Sequence, residues 1–158
     1  MRSLVVAVLS CLAAAACSPS DDAEIKAAEV AAPAPTLAGV DLSQPVRALG
    51  SEPFWSLELT GTDMVYTSPE PGELRAPQPA AVVQGTVAMF EAATADGQPM
   101  KVTLTATECS DGMSDRTYPL TAIVELGERT LTGCAASTAA IMSAGESGPV
   151  VAAPQPAG

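Results

Sequence analysis

Apolar and polar positions alternate through the middle of this chain and almost nowhere else. Trp55-Ser56-Leu57-Glu58-Leu59-Thr60 alternates strictly, the period of a strand with one buried face. Gly61-Thr62-Asp63 then supplies turn residues and Met64-Val65-Tyr66-Thr67 returns, so a hairpin is predicted. Val82 to Ala92 reads as one longer strand with a bulge or sharp bend at Gly85. Asp96-Gly97 turns the chain into a further alternating stretch, Met100 to Ala106. Thr121 to Leu126, a Gly127-Glu128 turn and Arg129 to Gly133 predict a last hairpin. Helical periodicity is absent from this region. The pattern predicts an all-β domain over residues 45–136, a small antiparallel barrel or strongly curved sheet of seven or eight short strands.

The flanks read differently. Leu4 to Ala16 is an unbroken run of 13 mostly apolar residues, too short for the roughly 20 that cross a bilayer. With Arg2 before it and Ser18-Pro19-Ser20-Asp21-Asp22 after Cys17, residues 1–16 read as a signal peptide. Small residues closing on a cysteine resemble a bacterial lipobox, although Ala14 stands where Leu is usual. Cys11 is a poorer match, since it would leave an apolar tail in the mature chain. The resemblance implies cleavage before Cys17 and acylation of its thiol and new amino group. Each buried methylene adds roughly 0.8 kcal/mol, so several acyl chains make a permanent anchor. Ser18 after the cysteine resembles the Gram-negative signal for the outer membrane, with the domain facing the periplasm.

Residues 17–44 then read as a lipidated cysteine followed by a flexible tether. Ala23 to Ala32 has helix-forming composition, and Ala-Pro-Ala-Pro at 32–35 breaks any helix. Such a chain reaches roughly 30 Å. Residues 137–158, rich in Ala, Ser, Gly and Pro, read as a disordered tail.

Charge and cysteines narrow the picture. With 18 acidic against 7 basic side chains and a net charge of -11, a nucleic-acid partner is disfavoured, because phosphate binding needs clustered Lys and Arg. Anionic headgroups repel such a surface, which leaves membrane attachment to the lipid; a basic envelope protein is the partner the charge suits. Of four cysteines, Cys11 leaves with the signal and Cys17 takes lipid. Cys109 and Cys134 remain for a disulfide in an oxidising compartment.

Two motifs stand out: Gly50-Ser51-Glu52-Pro53-Phe54-Trp55, and Cys109-Ser110-Asp111-Gly112-Met113-Ser114-Asp115-Arg116-Thr117-Tyr118-Pro119 closed by Gly133-Cys134-Ala135. In this order they resemble a family of uncharacterised Gram-negative envelope lipoproteins, over Val46 to Ala136. The resemblance implies an envelope setting and no assigned reaction. Pro53 predicts an extended lead into the strand. Phe54 and Trp55 should face opposite ways, with Trp55 in the core and Phe54 at a barrel end or a groove. Asp111-Gly112 signals a turn, Ser114 and Asp115 can bond nearby amides, and Arg116 can pair with Asp111, Asp115 or Glu52. The second loop, braced by a disulfide, is the expected contact surface, through Asp111, Met113, Ser114, Asp115, Arg116 and Tyr118 with Glu52 and Phe54 as neighbours. Calcium between Asp111 and Asp115 is a sharper alternative, without the spacing of an EF-hand.

No histidine is present. That removes the commonest general base, the Ser-His-Asp triad and the usual zinc ligands. No phosphate-cradling glycine loop or dinucleotide fingerprint appears, so neither a cofactor nor a resident metal is expected. The scattered methionines read as core filling rather than a copper(I) site. A carboxylate pair could hydrolyse a glycoside, but so small a domain leaves scant room for a sugar cleft. The expectation is a non-catalytic binding or structural module. The alternative is a proteinaceous lysozyme inhibitor, which is similar in architecture and suited by an acidic surface. The Tyr-x-Cys opening and Ser-Gly-x-Tyr ending of membrane-bound inhibitors are missing.

Overall fold

The structure, a computed structural model, describes residues 34–151; the signal peptide, Cys17 and most of the expected tether lie outside the described residues. Fourteen strands and one helix follow in order: β1 (Thr36–Leu37), β2 (Val40–Asp41), β3 (Val46–Ser51), β4 (Phe54–Leu59), β5 (Asp63–Thr67), β6 (Glu73–Pro77), β7 (Val82–Gln84), β8 (Val87–Ala93), β9 (Pro99–Thr105), β10 (Cys109–Ser110), β11 (Asp115–Tyr118), β12 (Leu120–Leu126), β13 (Arg129–Ser137), α1 (Thr138–Ser143) and β14 (Ser147–Pro149).

Nine of these form one sheet in the order β6-β5-β4-β3-β13-β12-β9-β8-β7, antiparallel at every pairing. Its two edges, β6 and β7, are consecutive in the chain and joined by residues 78–81 alone. A flat sheet of nine strands would hold its edges roughly 38 Å apart. The short connection spans at most roughly 18 Å. Connectivity therefore requires the sheet to curl, and it forms a curled half-barrel. The concave face carries the alternating residues that the sequence pattern picks out: Trp55, Leu57 and Leu59 of β4, Met100, Val102 and Leu104 of β9. Met64 and Tyr66 of β5 join them, and the Tyr66 ring stacks against Trp55 with centroids 6.4 Å apart.

A smaller layer covers the outside of the sheet. β10, β11 and β14 form a three-stranded sheet in which β11 and β14 run parallel. With α1 it packs on the end of β13, where Cys134, Ala135 and Ala136 are all buried. Ala135 belongs to the barrel core, whereas Cys134 and Ala136 join Tyr118, Ala140 and Val150 in a second core. Three consecutive buried residues break the strand's alternation because both faces are covered there. The Cys109–Cys134 disulfide, with Cα atoms 5.4 Å apart, ties β10 to β13.

Several expectations need correction. The tether ends earlier than residue 44: the β1–β2 hairpin and the turn after it place Leu37, Val40 and Leu42 in the barrel core. Residues 137–150 are not a tail. Ser137 caps α1 by accepting from the Ala140 N–H at 3.2 Å, and the Val150 N–H donates to Thr117 O at 2.8 Å. Val82 to Ala92 is two strands, because Gly85 at φ +58° lets the chain reverse completely. Pro53 does lead into strand β4, but not in an extended conformation: Glu52 and Pro53 form the turn between β3 and β4, with a cis peptide bond between them.

Candidate functional site

The site begins with Trp55 and two glycines. Gly50 is paired with Trp55 across the β3–β4 hairpin. Gly133 precedes the Cys134–Leu49 pairing of β13 with β3. The indole lies over both. A Cβ at Gly50 would press on Trp55 Nε1 and stand 2.7 Å from Cε2. One at Gly133 would strike the Leu49 carbonyl oxygen and stand 2.9 Å from Trp55 Cζ2. The glycines of the two motifs are thus the seat of one tryptophan. With Trp55 turned inward, period-two geometry puts Phe54 outside, where it is 60 % exposed.

The second motif supplies the opposite wall. Asp111 accepts four hydrogen bonds: at Oδ1 from the Met113 and Ser114 amides (3.0 and 2.8 Å), at Oδ2 from Ser114 Oγ and Tyr118 Oη (2.8 and 3.1 Å). Gly112, at φ +70°, completes the turn. Burial alone would raise the Asp111 pKa; the bonds from Ser114, Met113 and Tyr118 outweigh it and hold the carboxyl below the usual range. Burial first, and then the nearby Asp111 carboxylate, raise the Tyr118 hydroxyl above its ordinary value against a lowering contribution from Arg116. One further bond joins the motifs: Ser51 Oγ donates to Asp111 O at 3.1 Å.

Between these walls lies an open groove of about 660 Å³. Leu49, Ser56 and Thr67 line it along the sheet, Phe54 and Met113 from the two motifs, and Ile141 from α1. Met113 is 68 % exposed. Arg47 and Asp111 are the charged side chains that line the groove. Arg47 makes no ion pair among the described residues. Its cross-strand neighbour Glu58 instead accepts from Thr138 Oγ1 at 3.1 Å. A second depression of about 340 Å³, which shares Asp111 and Met113 with the groove, is lined also by Glu52, Thr132 and the disulfide.

The structure thus brings Phe54, Asp111 and Met113 to one groove and Glu52 to the neighbouring depression. The other expected contact residues sit elsewhere. Tyr118 is 1 % exposed and belongs to the outer core. Ser114 is spent on Asp111, and its Oγ also accepts from the Arg116 amide at 3.3 Å. Asp115 is exposed on β11 but lines neither hollow. Arg116 pairs with none of the expected acids; its Nε donates to Gly145 O at 2.7 Å. The four bonds to Asp111 occupy its lone-pair sites, so it has nothing left to offer a calcium ion. Sequence reasoning missed Arg47 and Ile141. Arg47 sits in β3, for which no strand was predicted, and Ile141 in the supposed tail. The chain matches no family model, no curated protein and no solved structure.

Proposed function

We propose that this chain is a non-catalytic binding module of the Gram-negative envelope. Lipid on Cys17 would hold it to the outer membrane, with the domain facing the periplasm and the Phe54–Met113 groove meeting a protein partner. One observation carries the reading. Segments 60 residues apart, joined by the Ser51–Asp111 bond, hold two large apolar side chains in the open at a single groove. Burying such a side chain stabilises a domain by roughly 1.5–3 kcal/mol. A braced loop that leaves Met113 outside is consistent with a surface kept for recognition. The lipobox resemblance at Cys17 and the motif resemblance to envelope lipoproteins support the setting.

A photo-crosslinking residue at Met113, in living Gram-negative cells expressing the full chain, tests the reading. A discrete crosslinked partner is expected, lost in Phe54→Ala and absent when the probe is moved to Glu128. Cys17→Ser should abolish acyl mass on the mature N-terminus. Equal crosslinking from Met113 and Glu128 would refute the groove, and an unacylated native protein would refute the anchor. The net charge of -11 supports a second reading, inhibition of a basic lysozyme; a turbidity assay with the purified domain decides it.

A further inference from the structure

The groove's free charged hydrogen-bonding capacity is that of a donor. Asp111 is its one carboxylate, and that carboxylate already accepts from four groups. Arg47 brings five N–H donors and no ion pair among the described residues. Around these donors stand Phe54, Met113 and Ile141. From this geometry we infer that the groove takes an extended peptide segment in which an apolar side chain lies between Phe54 and Met113 and a neighbouring carboxylate pairs with Arg47.

Two features favour a peptide over a free acyl chain. The groove is open rather than a tunnel, and the hydroxyls of Ser56 and Thr67 line it; these suit backbone amides and would be left unpaired against hydrocarbon. The net charge of -11 repels polyanions at long range, which restricts the class to segments with one or two carboxylates. A partner that is basic overall yet offers such a segment satisfies both the distant and the local field. The inference rests on the proposed binding function and names the chemistry of its site.

Phage-displayed random heptapeptides panned on the immobilised, disulfide-intact domain would test this. Enriched sequences should place Asp or Glu within two positions of a large apolar residue. Synthetic versions should shift the emission of Trp55, the sole tryptophan, saturably. Replacing the acid by its amide should weaken binding about tenfold. Arg47→Gln, with an unchanged circular dichroism spectrum, should remove that preference; Arg47→Lys should keep part of it; Phe54→Ala should weaken acid and amide peptides alike. Enrichment without acidic residues, no enrichment, an acid preference that persists in Arg47→Gln, or displacement of the peptides by palmitate would each overturn the inference. If the Met113 crosslink forms as strongly in Arg47→Gln, the binding function stands and this peptide chemistry falls.

Discussion

Gly50→Ala and Gly133→Ala add the same single methyl group and should fail for different reasons. Neither glycine has a left-handed backbone, so alanine is conformationally allowed and in a strand would be favoured by roughly 0.5–1 kcal/mol. The cost is steric. At Gly50 all three nearest atoms belong to Trp55, a buried side chain that can tilt only by losing its stack on Tyr66. At Gly133 the nearest atoms are the Leu49 carbonyl oxygen and, at 2.8 Å, its carbon. Relief there means parting β13 from β3 beside the Cys134–Leu49 pair. Overpacking costs typically 1–3 kcal/mol and occasionally more. We expect about 2 kcal/mol at Gly50 and about 3 kcal/mol or more at Gly133, the latter lowering Tm by roughly 10–15 °C. Trp55→Leu separates the two. In that background Gly50→Ala should become neutral or slightly stabilising, a coupling of about 2 kcal/mol, while Gly133→Ala keeps most of its cost. Urea unfolding at neutral pH, followed by circular dichroism because the tryptophan is gone, gives all six stabilities. Should Gly50→Ala cost as much with leucine at position 55 as with tryptophan, the shared seat of the indole is wrong.

Three further outcomes follow from the same geometry. Loss of the Cys109–Cys134 bond, which closes a loop of 25 residues, should cost roughly 3.5 kcal/mol in urea titrations, and mass spectrometry of the unreduced domain should find no alkylation at either cysteine. Asp111→Asn should cost about 2 kcal/mol; because the native pKa is depressed, the contribution is present above the ordinary carboxylate pKa of about 4 and lost as pH falls through the native value, so the variant should show a shallower fall of Tm with acid. Tyr66→Phe should be neutral or stabilising by about 1 kcal/mol in thermal unfolding, because the buried Tyr66 hydroxyl has no partner among the described residues; a loss above 1 kcal/mol would point to an internal water.

Much of the half-barrel was legible from alternation. β4, β5, β9 and β12 each carry apolar residues every second position, all of them large except Ala122, and such residues leave a strong period-two signal. The outer layer was not, and the reason is size. Close packing of α1 and β14 on the outside of β13 requires small residues, and Ala136 and Ala140 fill that core. Alanine and serine have no marked periodicity and look like linker composition, so residues 137–158 read as a tail. β6 hid for a related reason: Glu73-Leu74-Arg75-Ala76-Pro77 buries only an alanine fully and ends in proline, as an edge strand can. The hairpin at Gly85 hid because its two strands together look like one.

Why the residues that look most chemical turned inward has a physical answer. A loop held off the sheet by β10, β11 and a disulfide has no ladder for its own amides, and buried or half-buried polar groups must be paired. The Met113 and Ser114 amides, the Ser114 hydroxyl and the Tyr118 hydroxyl therefore all converge on Asp111, and Arg116 binds the loop before β14 through Gly145. Asp115 aside, which stays exposed on β11, the polar richness of the motif is consumed in shaping it. What the shaped loop presents is the residue with no polar group to satisfy, Met113, facing the same groove as Phe54. The arginine there, Arg47, makes no ion pair among the described residues and comes from β3, where regular strand pairing already satisfies the backbone. In a braced loop, then, the polar side chains report on the loop's own bonding, and the candidates for contact are the apolar tips it carries and the charges on the strands beneath it.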